Sequence, residues 1–335
     1  MENTNAVTHV ILTGGVGSRL WPLSRKSQPK QYLELFDGKS LFEMTVDRNR
    51  SIADTVMVVG NTDNCHLSKT VLQKSQTSYI DIIEATPRNT AAAIAFAAFA
   101  SAPDTILIVT PSDHIIDGTQ AYEKSIREAI HKASQGFIVT FGIVPTKPET
   151  GYGYIERAGD TVLSFREKPN KVSAKDFIKT GNFLWNSGMF CFKASVFLEE
   201  LKTYNLEVYE QSKQVWDANQ NGLLDLERSL SIPSISVDYA VMERSKKIKV
   251  VTSAFQWSDL GSFESVYDYL VSKGHFVDTN GNMVIGTDVY TAFVGLKNTI
   301  FVHTANANLI LQKESSQEVK NTYTELEQSD PKLLE

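Results

Sequence analysis

"HVILTGGVGSRLWPLSRKSQPKQ", residues 9–31, joins a short apolar run to three glycines and then to four cations, Arg19, Arg25, Lys26 and Lys30, with no carboxylate among them. The apolar run shows no polar alternation, so it reads as a strand buried on both faces. Similar runs recur: "VMVVG" at 56, "YIDII" at 79, "TILIVT" at 105 and "FIVTFG" at 137. Between them, apolar residues fall at helical spacing over about 40–50, 62–76, 89–101 and 119–133. Strands of this kind alternating with helices predict an α/β fold, a doubly wound, mostly parallel and Rossmann-like sheet covered on two sides.

The glycines then lie at the carboxyl end of the first strand, where open α/β sheets place ligands. Neither common phosphate loop fits them. A P-loop needs Gly-Lys followed by Ser or Thr, which is absent. A dinucleotide fingerprint needs a third glycine where Leu20 stands and an immediate helix, which Pro22 opposes. Gly14, Gly15 and Gly17 allow successive N–H groups to converge on an anion, and Arg19 with Lys30 can neutralise it. On these residues alone, an anion-binding loop and a tight turn before a solvated basic segment both stay open.

After residue 150 the pattern changes. "YGYIERAGDTVLSFREKP" predicts two strands about a turn at Gly159-Asp160, and "NFLWNSGMFCFK" another strand. Residues 194–244 read mainly as helix, broken at Ile232-Pro233, before the strand "KIKVVT". The segment "SKGHFVDTNGN" reads as a linker, and "VYTAFVG", "TIFVHT" and "NLILQ" as short strands of a small β domain. Ser315 and Glu318 have capping-box spacing before a final helix with Val319, Tyr323 and Leu326 on one face. Trp21, Phe36 and Phe190 are expected in the core.

The net charge of -6 argues against nonspecific nucleic-acid binding, so any anion must be held locally. Cys65 and Cys191 are too far apart for a metal-ligand spacing, and two cysteines suggest no disulfide framework. A reducing cytoplasm is the expected setting. The start "MENTNAVT" lacks a signal-peptide core, and "AAAIAFAAFASA" is too short to span a bilayer, so a buried helix and no membrane are expected.

"GGVGSRLWPLSRKSQPKQ" resembles the signature of sugar-nucleotide pyrophosphorylases, in the form found in mannose-1-phosphate guanylyltransferases. Further motifs stand in that family's order: "PRNTAAAIA" at 87, "PSDH" at 111, "GYGYI" at 151, "FREKP" at 165, "WNSGMF" at 185, "DYAVME" at 238 and "WSDLGS" at 257. The resemblance implies a nucleotidyltransferase domain over 1–272 and a small, β-helix-like domain over 273–335. It also implies transfer of GMP from GTP to mannose 1-phosphate, and a homodimer. Another nucleotide and hexose pair, a non-catalytic nucleotide-sugar sensor and a scaffolding protein remain the alternatives. No isomerase activity is expected, because no cupin-type domain follows.

Asp113 directly follows "TILIVT" and Asp259 follows a later strand, so two distant carboxylates can meet at one Mg²⁺. Taken singly, each is equally a loop acid or a helix cap. The resemblance assigns both to the metal. It places Lys168 on the sugar phosphate, and Gly153, Glu167 and Asn186 against the sugar. Arg88, Asn89, Thr90 and Ser112 fall to guanine and ribose, although Asn89 or Thr90 also suits a helix cap. Where many relatives carry Glu-Pro and a later proline, this chain has Glu84-Ala85 and Ala92, a departure that bears on base selectivity and not on catalysis, and His114 is assigned no catalytic role.

Overall fold

In the computed structural model, which describes residues 5–34, 38–219 and 223–335, the apolar runs form strands. β1 (Val7–Leu12), β2 (Thr55–Asn61), β3 (Tyr79–Glu84) and β4 (Ile106–Pro111) follow the first four runs. β5 (Ile115–Asp117) is short. β6 (Ile138–Ile143), β7 (Tyr154–Ala158), β8 (Thr161–Arg166), β9 (Phe183–Lys193) and β10 (Ile248–Ser253) continue the series. One nine-stranded sheet runs β3-β2-β1-β4-β9-β6-β10-β8-β7. Its first four strands are parallel. β9 enters antiparallel to both β4 and β6, and β6 pairs with β10 in parallel.

Alternation along a strand explains why these runs are apolar throughout. Leu107 and Val109 of β4 pack with the fully buried run Ala91–Ala98 of the helix Asn89–Phe99. Their neighbours Ile106 and Ile108 face the other side, against Tyr122, Ile126 and Ala129 of the helix Thr119–Ser134. Successive side chains point to opposite faces, so a strand covered on both needs no polar residue. Each such burial contributes about 1.5–3 kcal/mol. Alanines suit the first helix because a short side chain lets it lie close to the sheet. The second is amphipathic, with Tyr122, Ile126, Ala129 and Ala133 buried at helical spacing.

The described residues divide into two compact units. The first draws on Met1–Gly14, Thr45–Ser112 and Ile116–Trp257, and carries the large sheet. The second draws on Gly15–Met44, Asp113–Ile115 and Ser258–Glu335. Its core gathers Leu20, Trp21 and Leu41 with Phe263, Ile300, Val302, Val319, Tyr323 and Leu334. After β11 (Gln256–Ser258), it holds a three-stranded sheet of β12 (Met283–Ile285), β13 (Thr299–Thr304) and β14 (Ala307–Gln312). No helix among the described residues is long and apolar enough to cross a membrane.

Two local expectations fail here. "VYTAFVG" forms no strand, and β12 lies upstream of it. Val289, Tyr290 and Val294 are exposed, Tyr290 at 91%, so the apolar spacing there has no face to bury. Ser315 does not cap the last helix. It lies in a 3₁₀ turn, Lys313–Glu318, which runs straight into the helix Val319–Ser329. Trp21 and Phe190 are buried as expected, and Phe36 lies outside the described residues.

Candidate active site

In the second unit the glycine loop is followed by a 3₁₀ turn, Ser18–Leu20, rather than a regular helix. Gly15 and Gly17 adopt φ of 87° and 80°, a region that glycine enters without the usual steric cost. A Cβ on Gly17 would stand 2.6 Å from the Lys30 Cβ, whereas none of the described residues comes within 4 Å of one on Gly15. Ser24 Oγ donates to the Gly17 carbonyl at 2.6 Å and Lys30 N to the Val16 carbonyl at 3.0 Å. Arg19 lies within the 3₁₀ turn, partly buried.

Lys30 is turned inward, its side chain only 6% exposed. Its ammonium lies 2.7 Å from Asp113 Oδ2 and donates to the main-chain carbonyls of Asp259 and Leu260. Three acceptors match the three protons of an ammonium. Burial alone would raise the Asp113 carboxyl, but the Lys30 charge and the His114 ring outweigh it and hold the group below the usual carboxylate range. Leu260 adopts a φ of 43°, and Asp259 Oδ1 accepts from Gly261 N at 2.9 Å across the same turn. The Lys30 ammonium thus links the Asp113 carboxylate to the main chain of the Asp259-Leu260 turn.

Arg25 and Lys26 go elsewhere. Arg25 donates to the Leu333 carbonyl and to Asn306, while Lys26 N donates to the Leu334 carbonyl at 2.8 Å. Trp21 Nε1 adds a bond to the Leu333 carbonyl at 3.0 Å. The Lys26 ammonium lies 3.3 Å from Glu335 Oε1, so half of the opening stretch's positive charge is spent on the C-terminal segment.

The first unit holds two further groups. Gly14 is exposed, and Ser112 is buried with its N–H donating to the Leu12 carbonyl at 3.1 Å. At the start of the alanine-rich helix no side chain forms a cap. Instead Asn89 sits at a φ of 70° and its Oδ1 accepts from Thr90 N at 2.8 Å. Thr90 Oγ1 accepts from Val237 N at 2.9 Å, and Arg88 Nε donates to the Ile232 carbonyl at 2.6 Å. Beside this corner, burial pushes the Glu84 carboxyl up to about 7, against a backbone hydrogen bond from Arg88.

The other group surrounds Gly153. A Cβ there would stand 2.6 Å from Glu167 Oε2, so only glycine fits without displacing the carboxylate. Asn186 N donates to the Gly153 carbonyl at 2.8 Å, and Lys168 Nζ lies 2.7 Å from Glu167 Oε1. Lys168 has a φ of 43° and an exposed side chain. A non-glycine residue held in that region is costly and often marks a functional site. Asp238, to which the sequence reading attached no role, accepts from Asn186 Nδ2 at 3.0 Å. Burial and then the Glu167 charge push its carboxyl up to about 6. Its only sequence signal is its place at the head of "DYAVME".

Among the described residues no group of three or more His, Cys, Asp or Glu side chains is arranged for a metal. A pair of carboxylates suits a hard divalent cation that completes its shell with phosphate and water. The Asp113 carboxylate is already paired with the Lys30 ammonium.

A family model described as nucleotidyl transferase matches residues 8–273, and one described as MannoseP isomerase/GMP-like beta-helix domain matches residues 275–326. Mannose-1-phosphate guanylyltransferase RfbM of Salmonella typhimurium is 37% identical, over 96% of this chain and 72% of its own length. A crystal structure described as mannose-1-phosphate geranyltransferase from Thermus thermophilus has a TM-score of 0.82 at 28% identity, covering 96% of this chain and 99% of that one. Another, described as mannose-6-phosphate isomerase from Helicobacter pylori, has a TM-score of 0.69 at 37% identity, covering 76% of this chain and 99% of that one. The chain belongs to the nucleotidyl transferase family, with a β-helix-type domain after the transferase part.

Proposed function

We propose that this chain transfers GMP from GTP to α-D-mannose 1-phosphate, giving GDP-mannose and pyrophosphate. The name and similarity of the Salmonella relative support the choice of substrates. The observation that carries the chemistry is the Lys30 ammonium, which joins the Asp113 carboxylate to the main chain of the Asp259-Leu260 turn in the same unit as Gly15, Gly17 and Arg19.

A mannose phosphate oxygen attacks the α-phosphorus of GTP in line. One P–O bond forms as the bond to the β-phosphate oxygen breaks, and pyrophosphate leaves. A phosphate monoester with a second pKa of about 6 is already largely anionic at neutral pH, so no side chain need remove a proton. The obstacle is repulsion between two polyanions. Backbone N–H groups of Gly14, Gly15 and Gly17 receive the triphosphate, and Arg19 faces the charge that grows on the leaving group. Lys30 holds Asp113 and the Asp259-Leu260 turn in place and adds its positive charge to that group. Asp113 and Asp259 would hold Mg²⁺, which when bound supplies further neutralisation at the reacting phosphates.

Lys168 anchors the sugar phosphate, Glu167 accepts from sugar hydroxyls, and Gly153 and Asn186 lie against the ring. Arg88, Asn89, Thr90 and Ser112 serve guanine and ribose. The division at 272/273, a homodimer and a cytoplasmic setting belong to the same proposal.

Pyrophosphate release tests it, with four nucleoside triphosphates against mannose, glucose and fucose 1-phosphate, each with and without Mg²⁺. The strongest release is expected with GTP, mannose 1-phosphate and Mg²⁺. Silence throughout would point to a sensor, and a best pair without GTP would overturn the base assignment.

A further inference from the structure

Asn186 is held from three directions. Its Nδ2 donates to Asp238 Oδ1 at 3.0 Å, while its Oδ1 accepts from Gly188 N at 3.1 Å and from Thr140 Oγ1 at 3.3 Å. An amide oxygen has two lone pairs and its nitrogen two protons. Among the described residues the oxygen is therefore fully used, and one Nδ2 proton is left for a ligand. The Asn186 main chain is bonded to Gly153, whose missing side chain leaves room for the Glu167 carboxylate. One amide donor next to one carboxylate acceptor suits neighbouring ring hydroxyls, each of which can accept and donate.

Asp238 heads a π-helical turn, Asp238–Met242, and is delivered by the segment before it. That segment is fastened to the helix corner at three points: Arg88 Nε to the Ile232 carbonyl, Ala91 N to the Ile235 carbonyl at 3.3 Å, and Val237 N to Thr90 Oγ1. A carboxylate this firmly supported is placed to orient a partner.

We propose that Asp238 is a positioning residue for sugar recognition, fixing Asn186 so that its remaining amide proton donates to a sugar hydroxyl. The inference rests on the reading of this chain as a transferase acting on a sugar 1-phosphate.

Steady-state pyrophosphate release by the full chain tests it, with each substrate varied at saturating levels of the other, in wild type, Asp238→Ala and Asp238→Asn. Losing a hydrogen bond to a charged acceptor weakens binding by about tenfold or more. Asp238→Ala should therefore raise KM for mannose 1-phosphate by about tenfold. KM for GTP should stay within about twofold. Asp238→Asn keeps an acceptor oxygen and should recover most of the sugar KM. Should Asp238→Ala fail to fold, Asp238→Ser, whose hydroxyl is too short to reach Asn186, carries the same expectation. An unchanged sugar KM, an equal rise for GTP, or failure of the Asn variant to rescue would overturn the inference. Silence of the wild type with every sugar phosphate would instead overturn the functional reading beneath it.

Discussion

The Lys30 ammonium lies 2.7 Å from Asp113 Oδ2, on a side chain that is almost fully enclosed. A cation in this position screens a carboxylate that would otherwise face burial alone, and it ties that carboxylate to the strained Asp259-Leu260 turn. Removing one partner leaves the other charge poorly solvated, which costs more than the pair contributes as a unit. Asp113→Ala and Lys30→Met should each destabilise the fold. The double variant should fall short of their sum by about 1–3 kcal/mol, somewhat lowered because Asp113 is 30% exposed. Urea unfolding of the four proteins measures the coupling, and strict additivity would show that the pair is energetically idle.

Gly17 is constrained twice, by a φ of 80° and by the Lys30 Cβ. Gly17→Ala must strain the turn or displace Lys30, so a loss of about 1–3 kcal/mol is expected. GTP should suffer more than mannose 1-phosphate, because the turn belongs to the nucleotide side of the proposed reaction. KM values for both substrates, with the melting temperature, check this.

The sheet was legible because its strands are buried on two faces. Runs such as "TILIVT" need no polar alternation, and the Ala91–Ala98 helix announces itself by the same lack of a polar face. "VYTAFVG" misled because its spacing is strand-like, yet Val289 and Tyr290 stand exposed. Site residues were legible only as motifs. Their partners come from far along the chain: Lys30 joins the Asp113 carboxylate to the Asp259 main chain, and Asp238 meets Asn186. No local pattern reports such pairings. Arg25 and Lys26 looked like their cationic neighbours, and only the fold reveals that they serve the C-terminal segment.

That segment should matter to the glycine loop. Leu334 is fully buried, and the carbonyls of Leu333 and Leu334 accept from Trp21, Arg25 and Lys26. Leu334→Ala opens a cavity and should cost about 2–4 kcal/mol. Because Trp21–Lys26 continues directly from the glycine turn, GTP KM should rise as well. A melting curve and a GTP titration test the two parts, and an unaltered melting temperature would show that the clamp is not structural.

His9 sets a limit at acid pH. It is fully buried, with Nε2 2.8 Å from Thr110 Oγ1 and 3.2 Å from Asn49 Nδ2. Burial, with a smaller contribution from Arg48, lowers its pKa from 6.5 to about 3. The unfolded chain then binds the extra proton between these values. This contribution to stability is present above about pH 6.5 and is lost as the pH falls toward 3, by up to ~1.4 kcal/mol per unit. His9→Gln should flatten the dependence between pH 5 and 6.5 relative to wild type. Parallel stability curves for the two proteins would remove His9 from the explanation.

The central claim is that fixed cations and a metal held by Asp113 and Asp259 let two anionic substrates react. The most direct measurement is kcat for GMP transfer by Asp113→Ala and by Asp259→Ala at saturating substrates and Mg²⁺, on protein shown to be folded. Loss of one such electrostatic partner should lower the rate by about a hundred- to a thousandfold. Near wild-type turnover in both variants would contradict the account.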